Sequence, residues 1–214
     1  MTIRVLLADD HALVREGLRV LLTANPGISV IGDVGNGRDA VHLAADLNPD
    51  VVIMDVSMPD LNGIEAARMM RVKCPAARII MLSMHSTTEH VYRALEVGAT
   101  GYVLKDSASN EVIAAVQTVH AGRRYFSLAL RSYVPEPLGR ETGELSPLDS
   151  LSSRERQVLQ LVVEGKSSAE IAARIHLSPK TVDTYRSRLM KKLGVSDVPA
   201  LVKFAVQHGL TPGG

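Results

Sequence analysis

Apolar residues fall along the first 124 positions in short unbroken runs, separated by stretches in which they recur every three or four places. The runs, rich in Val, Ile and Leu, are residues 3–8, 29–34, 51–54, 79–83 and 101–104, and each is followed by a periodic stretch, at 12–24, 38–47, 64–72, 89–97 and 109–121. A run with no polar alternation predicts a strand covered on both faces; the three-to-four spacing predicts a helix with one apolar side. Five such βα units in succession predict a parallel sheet sandwiched by helices through right-handed crossovers, a flavodoxin-like, doubly wound (βα)5 fold. Breakers at Asn25-Pro26-Gly27, Asn48-Pro49, Cys74-Pro75 and Gly98 close the helices before the next strand.

Between residues 127 and 150 the periodicity fades into a stretch with three prolines and two glycines. It reads as a mobile connection, which divides the chain into a domain over 1–124, a linker over 125–148 and a second domain over 149–214. The second domain shows four short helical patterns, at 153–163, 168–175, 179–193 and 197–207. Ser152 with Glu155 and Ser167 with Glu170 have capping-box spacing, and Ser178-Pro179 is an N-cap followed by proline at the first helical position. A three-residue turn, 176–178, joins two of these helices along a seam of Ile171, Ala172, Ile175, Leu177, Val182 and Leu189, which predicts a helix-turn-helix. The run Glu164-Gly165-Lys166-Ser167 is not a phosphate-binding loop, because that signature needs glycine where Gln160 stands and a strand before it.

Composition adds exclusions. Hydrophobic residues make up 46% and charged residues 22%, and no apolar run approaches the ~20 residues of a membrane span, so no membrane partner is expected. The N-terminus turns acidic at Asp9 without a small-residue cleavage site, so a signal peptide is not expected and a cytoplasmic location is. The single cysteine, Cys74, cannot form an internal disulfide and lacks neighbours at metal-ligand spacing. The net charge of +1 hides an asymmetry: residues 1–124 carry 12 basic and 14 acidic groups, and residues 149–214 carry 10 and 6. The basic half therefore suits a polyanion.

Candidate chemistry lies at the strand exits. The first strand ends in Asp9-Asp10, the third in Asp55, the fourth in Ser83 and the fifth leads into Lys105; parallel topology brings all of these to one edge, where open α/β sheets bind ligands. Three carboxylates that close together need a cation, and an all-oxygen cluster open to solvent suits Mg²⁺. A lysine and a hydroxyl beside them complete a site for a phosphoryl group, with one carboxylate placed for in-line attack. Taken singly, each residue has a plainer explanation, as a helix cap, a surface lysine or a solvated serine; their joint placement argues against it.

Through LLADDH, VVIMDVSMPDLNG, IIMLS and GATGYVLK the first 124 residues resemble the receiver domain of two-component response regulators. The resemblance implies that Asp55 accepts a phosphoryl group from a sensor histidine kinase, that Asp10 binds Mg²⁺ directly with support from Asp9, and that the Ser57 backbone carbonyl supplies another ligand. It further implies that Ser83 and Lys105 follow the phosphoryl oxygens and that Tyr102 is the aromatic that reorients with the switch, unless its ring merely fills the sheet edge. Pro59 and Gly63 match the loop that follows the acceptor.

Residues 149–208, through LSSRERQVL and GKSSAEIAARIHLSPKTVDTYRSRLMKKLGV, resemble the LuxR-type DNA-binding domain of NarL/FixJ-type regulators. This implies a recognition helix, 179–193, in the major groove of double-stranded DNA. Lys180, Thr181, Arg186, Arg188, Lys191 and Lys192 are candidates for phosphate or base contact, and Asp183, Thr184 and Ser187 for base edges. Asp183 departs from a position where many relatives carry lysine, and it has two readings, acceptance from cytosine N4 or orientation of a neighbouring arginine. The last helix, with Val198, Leu201, Val202, Ala205 and Val206, resembles the family's dimerisation helix, so a homodimer is expected. The expected function is a phosphorylation-controlled transcription regulator, not an enzyme. Two alternatives stay open: a regulator indifferent to phosphorylation, and an aspartyl-phosphate hydrolase, which would want a carboxylate where Ser57 stands.

Overall fold

Each apolar run becomes a strand, because a segment with no polar face is fully buried only where helices cover both of its sides. The computed structural model describes residues 2–84, 88–133 and 147–207, arranged as two compact units. In the first, β1 (Ile3–Ala8), β2 (Ile28–Val34), β3 (Val51–Asp55), β4 (Arg78–Ser83) and β5 (Gly101–Leu104) are joined in one sheet by a short β6 (Tyr125–Phe126). All pairings are parallel and the order is β2-β1-β3-β4-β5-β6. The helices are α1 (Ala12–Thr23), α2 (Gly37–Leu47), α3 (Gly63–Lys73), α4 (Thr88–Glu96) and α5 (Ala108–His120).

Period-two alternation sorts the strand side chains between two cores. Val5 and Leu7 of β1, with Ile53 and Leu82, pack against Leu18 and Leu22 of α1 and Val112 and Val116 of α5. Leu6 and Ala8, with Val52, Met54 and Met81, meet Ala40 and Ala44 of α2, Ala66 and Met70 of α3, and Val91 and Ala94 of α4. With both faces filled, only the strand ends are left for chemistry. Asn36 and Asn62 cap α2 and α3 by accepting from Asp39 N–H and Glu65 N–H, and Asn48 leaves α2 in the left-handed conformation at φ 47°.

The stretch expected to be linker, 125–148, carries regular structure over its described residues, and 134–146 lie outside the described residues. Tyr125 and Phe126 pair with Gly101 and Tyr102, a 3₁₀ turn follows at Leu128–Tyr133, and Leu130 is fully buried in the core shared by Tyr102 and Val91. A two-residue strand and one hooking leucine are too short to show a period, so the sequence pattern ends before the sheet does.

The second unit contains α6 (Ser153–Val163), α7 (Ser168–Ile175), α8 (Pro179–Leu193) and α9 (Val198–Gln207), preceded by a 3₁₀ turn at Pro147–Ser150. Both capping boxes form, and Ser178 accepts from Thr181 N–H at the start of α8. The tight turn between α7 and α8 is possible because His176 takes a left-handed conformation, φ 55°. Leu148, Leu159, Val162, Ile171, Ile175, Val182, Leu189, Leu201 and Ala205 make one core. Residues 208–214, counted with this domain on sequence grounds, lie outside the described residues.

Candidate functional site

The exits of β1, β3 and β5 meet around one ammonium. Lys105 Nζ, nearly buried in the 3₁₀ turn that follows β5, lies 2.8 Å from Asp55 Oδ2 and 2.8 Å from Asp9 Oδ2. Both carboxylates are closed off from solvent, Asp9 at 1% and Asp55 at 2% exposure. The Ser57 N–H donates to Asp55 Oδ1 at 3.1 Å, so the loop after β3 folds back on the carboxylate. His11 closes the other side: its Nδ1 is 2.8 Å from Asp10 Oδ1 and 3.2 Å from Asp9 Oδ1, and its N–H donates to Asp9 Oδ1 at 2.8 Å. One ligand atom each from Asp9, Asp10, His11 and Asp55 lies within 4.8 Å of all the others.

That geometry strains the charges. Burial pushes the Asp55 carboxyl up to about 6, the adjacent Asp9 charge adds to the rise, and Lys105 and the Ser57 N–H only partly offset it. Burial disfavours the Lys105 ammonium, yet its contacts with Asp55 and Asp9 hold it above the ordinary lysine value. Among the described residues, the buried Asp9 Oδ2 and Asp10 Oδ1 accept no well-aligned hydrogen bond and meet Lys105 and His11. Carboxylate oxygens held in that way have lone pairs to spare for a hard cation, so the donor set fits Mg²⁺.

Ser83, at the end of β4, is buried and hydrogen-bonded to the Tyr102 hydroxyl. Tyr102 is fully enclosed in the core rather than partly buried at the sheet edge. Burial pushes its hydroxyl up to about 12, and the Asp55 charge adds to the rise against the Ser83 hydrogen bond.

In the second unit, α8 separates its residues by face. Val182, Leu189 and Leu193 are buried, with Tyr185 and Met190 packed beside them. Lys180, Thr184, Ser187 and Lys191, at i, i+4, i+7 and i+11, form one exposed stripe flanked by exposed Asp183 and Arg188. Thr181 is half-buried at the N-cap, its hydroxyl 2.8 Å from that of Ser178. Arg186 turns toward α7, where its Nη1 donates to Ser168 Oγ at 2.8 Å, and Ser168 Oγ donates to Asp183 Oδ1 at 2.6 Å. The Asp183 carboxylate thereby meets Arg186 through the Ser168 hydroxyl.

Residues 5–117 match the family described as response regulator receiver domain, and residues 149–205 match bacterial regulatory proteins of the luxR family. The chain belongs to the response regulators. Its order of domains is that of the NarL/FixJ type. Transcriptional regulatory protein MctR of Rhizobium johnstonii is 38% identical over 208 residues, covering 97% of this chain and 95% of MctR. Response regulator UvrY of Escherichia coli is 38% identical over 214 residues, with the same coverage of each chain. Among solved structures, the response regulator RcsB in complex with DNA aligns at a TM-score of 0.59 and 27% identity, over 96% of this chain and 98% of RcsB.

Of the receiver residues singled out in the sequence, Asp9, Asp10, Asp55 and Lys105 come together, and Ser83 meets Tyr102. His11 and Arg15 were not singled out. His11 adjoins the two aspartates in LLADDH, which is signal enough; Arg15, which donates to the Asp9 carbonyl at 2.6 Å and to Asp33 Oδ2 at 3.2 Å, carried none. In this response regulator's α8, Lys192 leaves the exposed stripe: its Nζ donates to Glu155 Oε2 at 2.7 Å and to the Ser150 carbonyl at 3.2 Å. Burial works against the Glu155 charge, but Lys192 and the Ser152 cap outweigh it and hold the carboxyl below its usual range. A lowered folded value stabilises above the ordinary carboxylate range and fades as pH falls through it. Lys192→Met is therefore expected to cost about 1 kcal/mol at neutral pH, discounted because the lysine is 42% exposed, and less near pH ~4. Thermal unfolding of the variant at the two pH values checks this; an unchanged midpoint at neutral pH would remove Lys192 from the fold's support.

Proposed function

We propose that this response regulator is a DNA-binding transcription regulator switched by phosphoryl transfer from a sensor histidine kinase to Asp55. The observation that carries the reading is the single ammonium of Lys105 held at 2.8 Å by both Asp55 and Asp9 inside a buried acidic cluster. An Asp55 oxygen attacks phosphorus in line; the new P–O bond forms as the bond to the donor's imidazole nitrogen breaks, and the imidazole leaves. Lys105 exchanges a carboxylate for a phosphoryl oxygen, and Ser83 donates its hydroxyl to another, which takes it from Tyr102 and ties the ring to the reaction. Asp10, Asp9, Asp55 and the Ser57 carbonyl would hold Mg²⁺, which when bound neutralises charge on the transferring group.

The output is the exposed stripe of α8. Lys180, Arg188 and Lys191 suit phosphates, and Thr184 and Ser187 suit base edges at the same surface; Thr181, Asp183 and Arg186 frame them. The RcsB complex supports DNA as the partner. In α9, Leu201 and Ala205 are core while Val206 is 44% exposed, which leaves an apolar edge for a homodimer on DNA. No described helix is long and apolar enough to cross a membrane.

Phosphodonor labelling of wild type and Asp55→Asn tests the input. Label on wild type alone is expected, and equal labelling would assign the acceptor elsewhere. For the output, Lys191→Ala is expected to weaken operator binding at every sequence and to lower the slope of log K against log salt by about one. Unchanged affinity and slope would count against this docking.

A further inference from the structure

The last described segment of the receiver is clasped to the strand that leads into the switch lysine. Strand β6 pairs only Tyr125 and Phe126 with β5, so the Leu104 N–H lies past the end of the ladder. The side chain of Ser127 takes over: Leu104 N–H donates to Ser127 Oγ at 3.0 Å, and Ser127 Oγ donates its one proton to Glu111 Oε2 of α5 at 2.6 Å. Ser107 Oγ, in the 3₁₀ turn that begins at Lys105, lies 3.2 Å from Ser127 Oγ. Ser127 is fully buried, its N–H donates to the Tyr102 carbonyl at 3.0 Å, and its carbonyl accepts from Leu130 N–H at 2.8 Å. One serine thus touches the residue before Lys105, the backbone of Tyr102 and the turn that carries Leu130 into the core to which Tyr102 also belongs.

We propose that Ser127 and Glu111 are positioning residues for phosphoryl capture, fixing the end of β5 from which Lys105 reaches Asp55 and tying that point to the segment leading out of the receiver. This rests on the assignment of Asp55 as acceptor. When Lys105 changes partners, the strain at Leu104 passes to Ser127 and from there to Leu128–Leu130. A serine with only a structural role would stabilise the sheet edge without setting the rate of capture.

The test uses the full chain, with acetyl phosphate and Mg²⁺, in wild type, Ser127→Ala, Glu111→Ala, Glu111→Gln and Asp55→Asn. Labelling rate is followed across a donor series, alongside amide hydrogen exchange at 104–107 and 128–130. Ser127→Ala and Glu111→Ala are expected to lower the saturating rate roughly fivefold, the size of one lost hydrogen bond, with the half-saturating donor concentration unchanged. Glu111→Gln keeps an acceptor for Ser127 and is expected to stay within about twofold of wild type. Labelling should alter exchange at 128–130 in wild type and leave it unaltered in Ser127→Ala. Wild-type rates in both alanine variants overturn the proposal even where their melting points fall. If wild type labels no better than Asp55→Asn, the acceptor assignment fails and the positioning role with it; labelled wild type with indifferent variants rejects the positioning role alone.

Discussion

Asp55→Asn is expected to make the receiver harder to unfold at neutral pH in the presence of a chelator, while it removes phosphoryl labelling. Burial and the neighbouring Asp9 charge place the Asp55 carboxyl at about 6, against an ordinary 3.8, so its ionised form is resisted by the fold. A displacement of that size corresponds to roughly 3 kcal/mol withheld from folding once the group is ionised. Asparagine keeps the shape and can still accept from the Ser57 N–H, and because the rise to about 6 is already net of the Lys105 contact, a gain of about 1–3 kcal/mol is expected. The sign follows from the raised value. Stability is fullest below the ordinary carboxyl value and is lost as pH rises through about 6, so the variant's advantage opens between pH ~4 and ~6 and levels off above ~7. Urea unfolding of both proteins across that range, without divalent ions, checks it. A variant no more stable than wild type at neutral pH would mean that Lys105 fully compensates Asp55. Added Mg²⁺ should narrow the gap, since the donor set offers wild type a charge that asparagine does not.

The pocket was legible because parallel topology needs only strand exits to be located, and apolar runs locate them well. Asp9, Asp10, Asp55, Ser83 and Lys105 all stand within a residue or two of such an end, so no contact had to be foreseen. The exposed stripe of α8 was legible for a similar reason, helix period alone placing Lys180, Thr184, Ser187 and Lys191 together. What escaped depends on partners distant in the chain. Lys192 resembles its neighbour Lys191 in sequence, and only Glu155, on another helix, separates them. Arg186 is likewise claimed by Ser168 across the turn. Strand β6 escaped because two residues have no period, and with it went Ser127, read as the start of a linker although it is fully buried.

Gly63 was legible as a loop residue after Asp55, but its reason is steric, and Gly63→Ala is expected to be among the most damaging single-methyl changes in the receiver. A Cβ at this position would lie 2.0 Å from the Asp55 carbonyl oxygen, 2.9 Å from the Asp55 carbonyl carbon and 3.2 Å from Met54 Cγ. The first two are backbone atoms of β3 and cannot swing aside. The approach is set by the entry into α3: Gly63 N–H donates to the Val56 carbonyl at 2.9 Å, and Asn62 caps the helix from the Glu65 N–H at 2.9 Å. Relief requires moving the α3 terminus or the end of β3, which carries the acceptor itself. A loss of more than ~3 kcal/mol is expected, in the range that marks a steric clash in a core. Phosphoryl labelling should slow by at least about tenfold, since a shift near 1 Å at an attacking group has effects of that order. Gly17→Ala is the control: Gly17 is exposed within α1 with nothing within 4 Å of the added carbon, so helix propensity should stabilise it by about 0.5–1 kcal/mol. Urea unfolding of the two variants separates the cases. A Gly63→Ala protein within about 1 kcal/mol of wild type and labelling normally would show that α3 can retreat without disturbing Asp55.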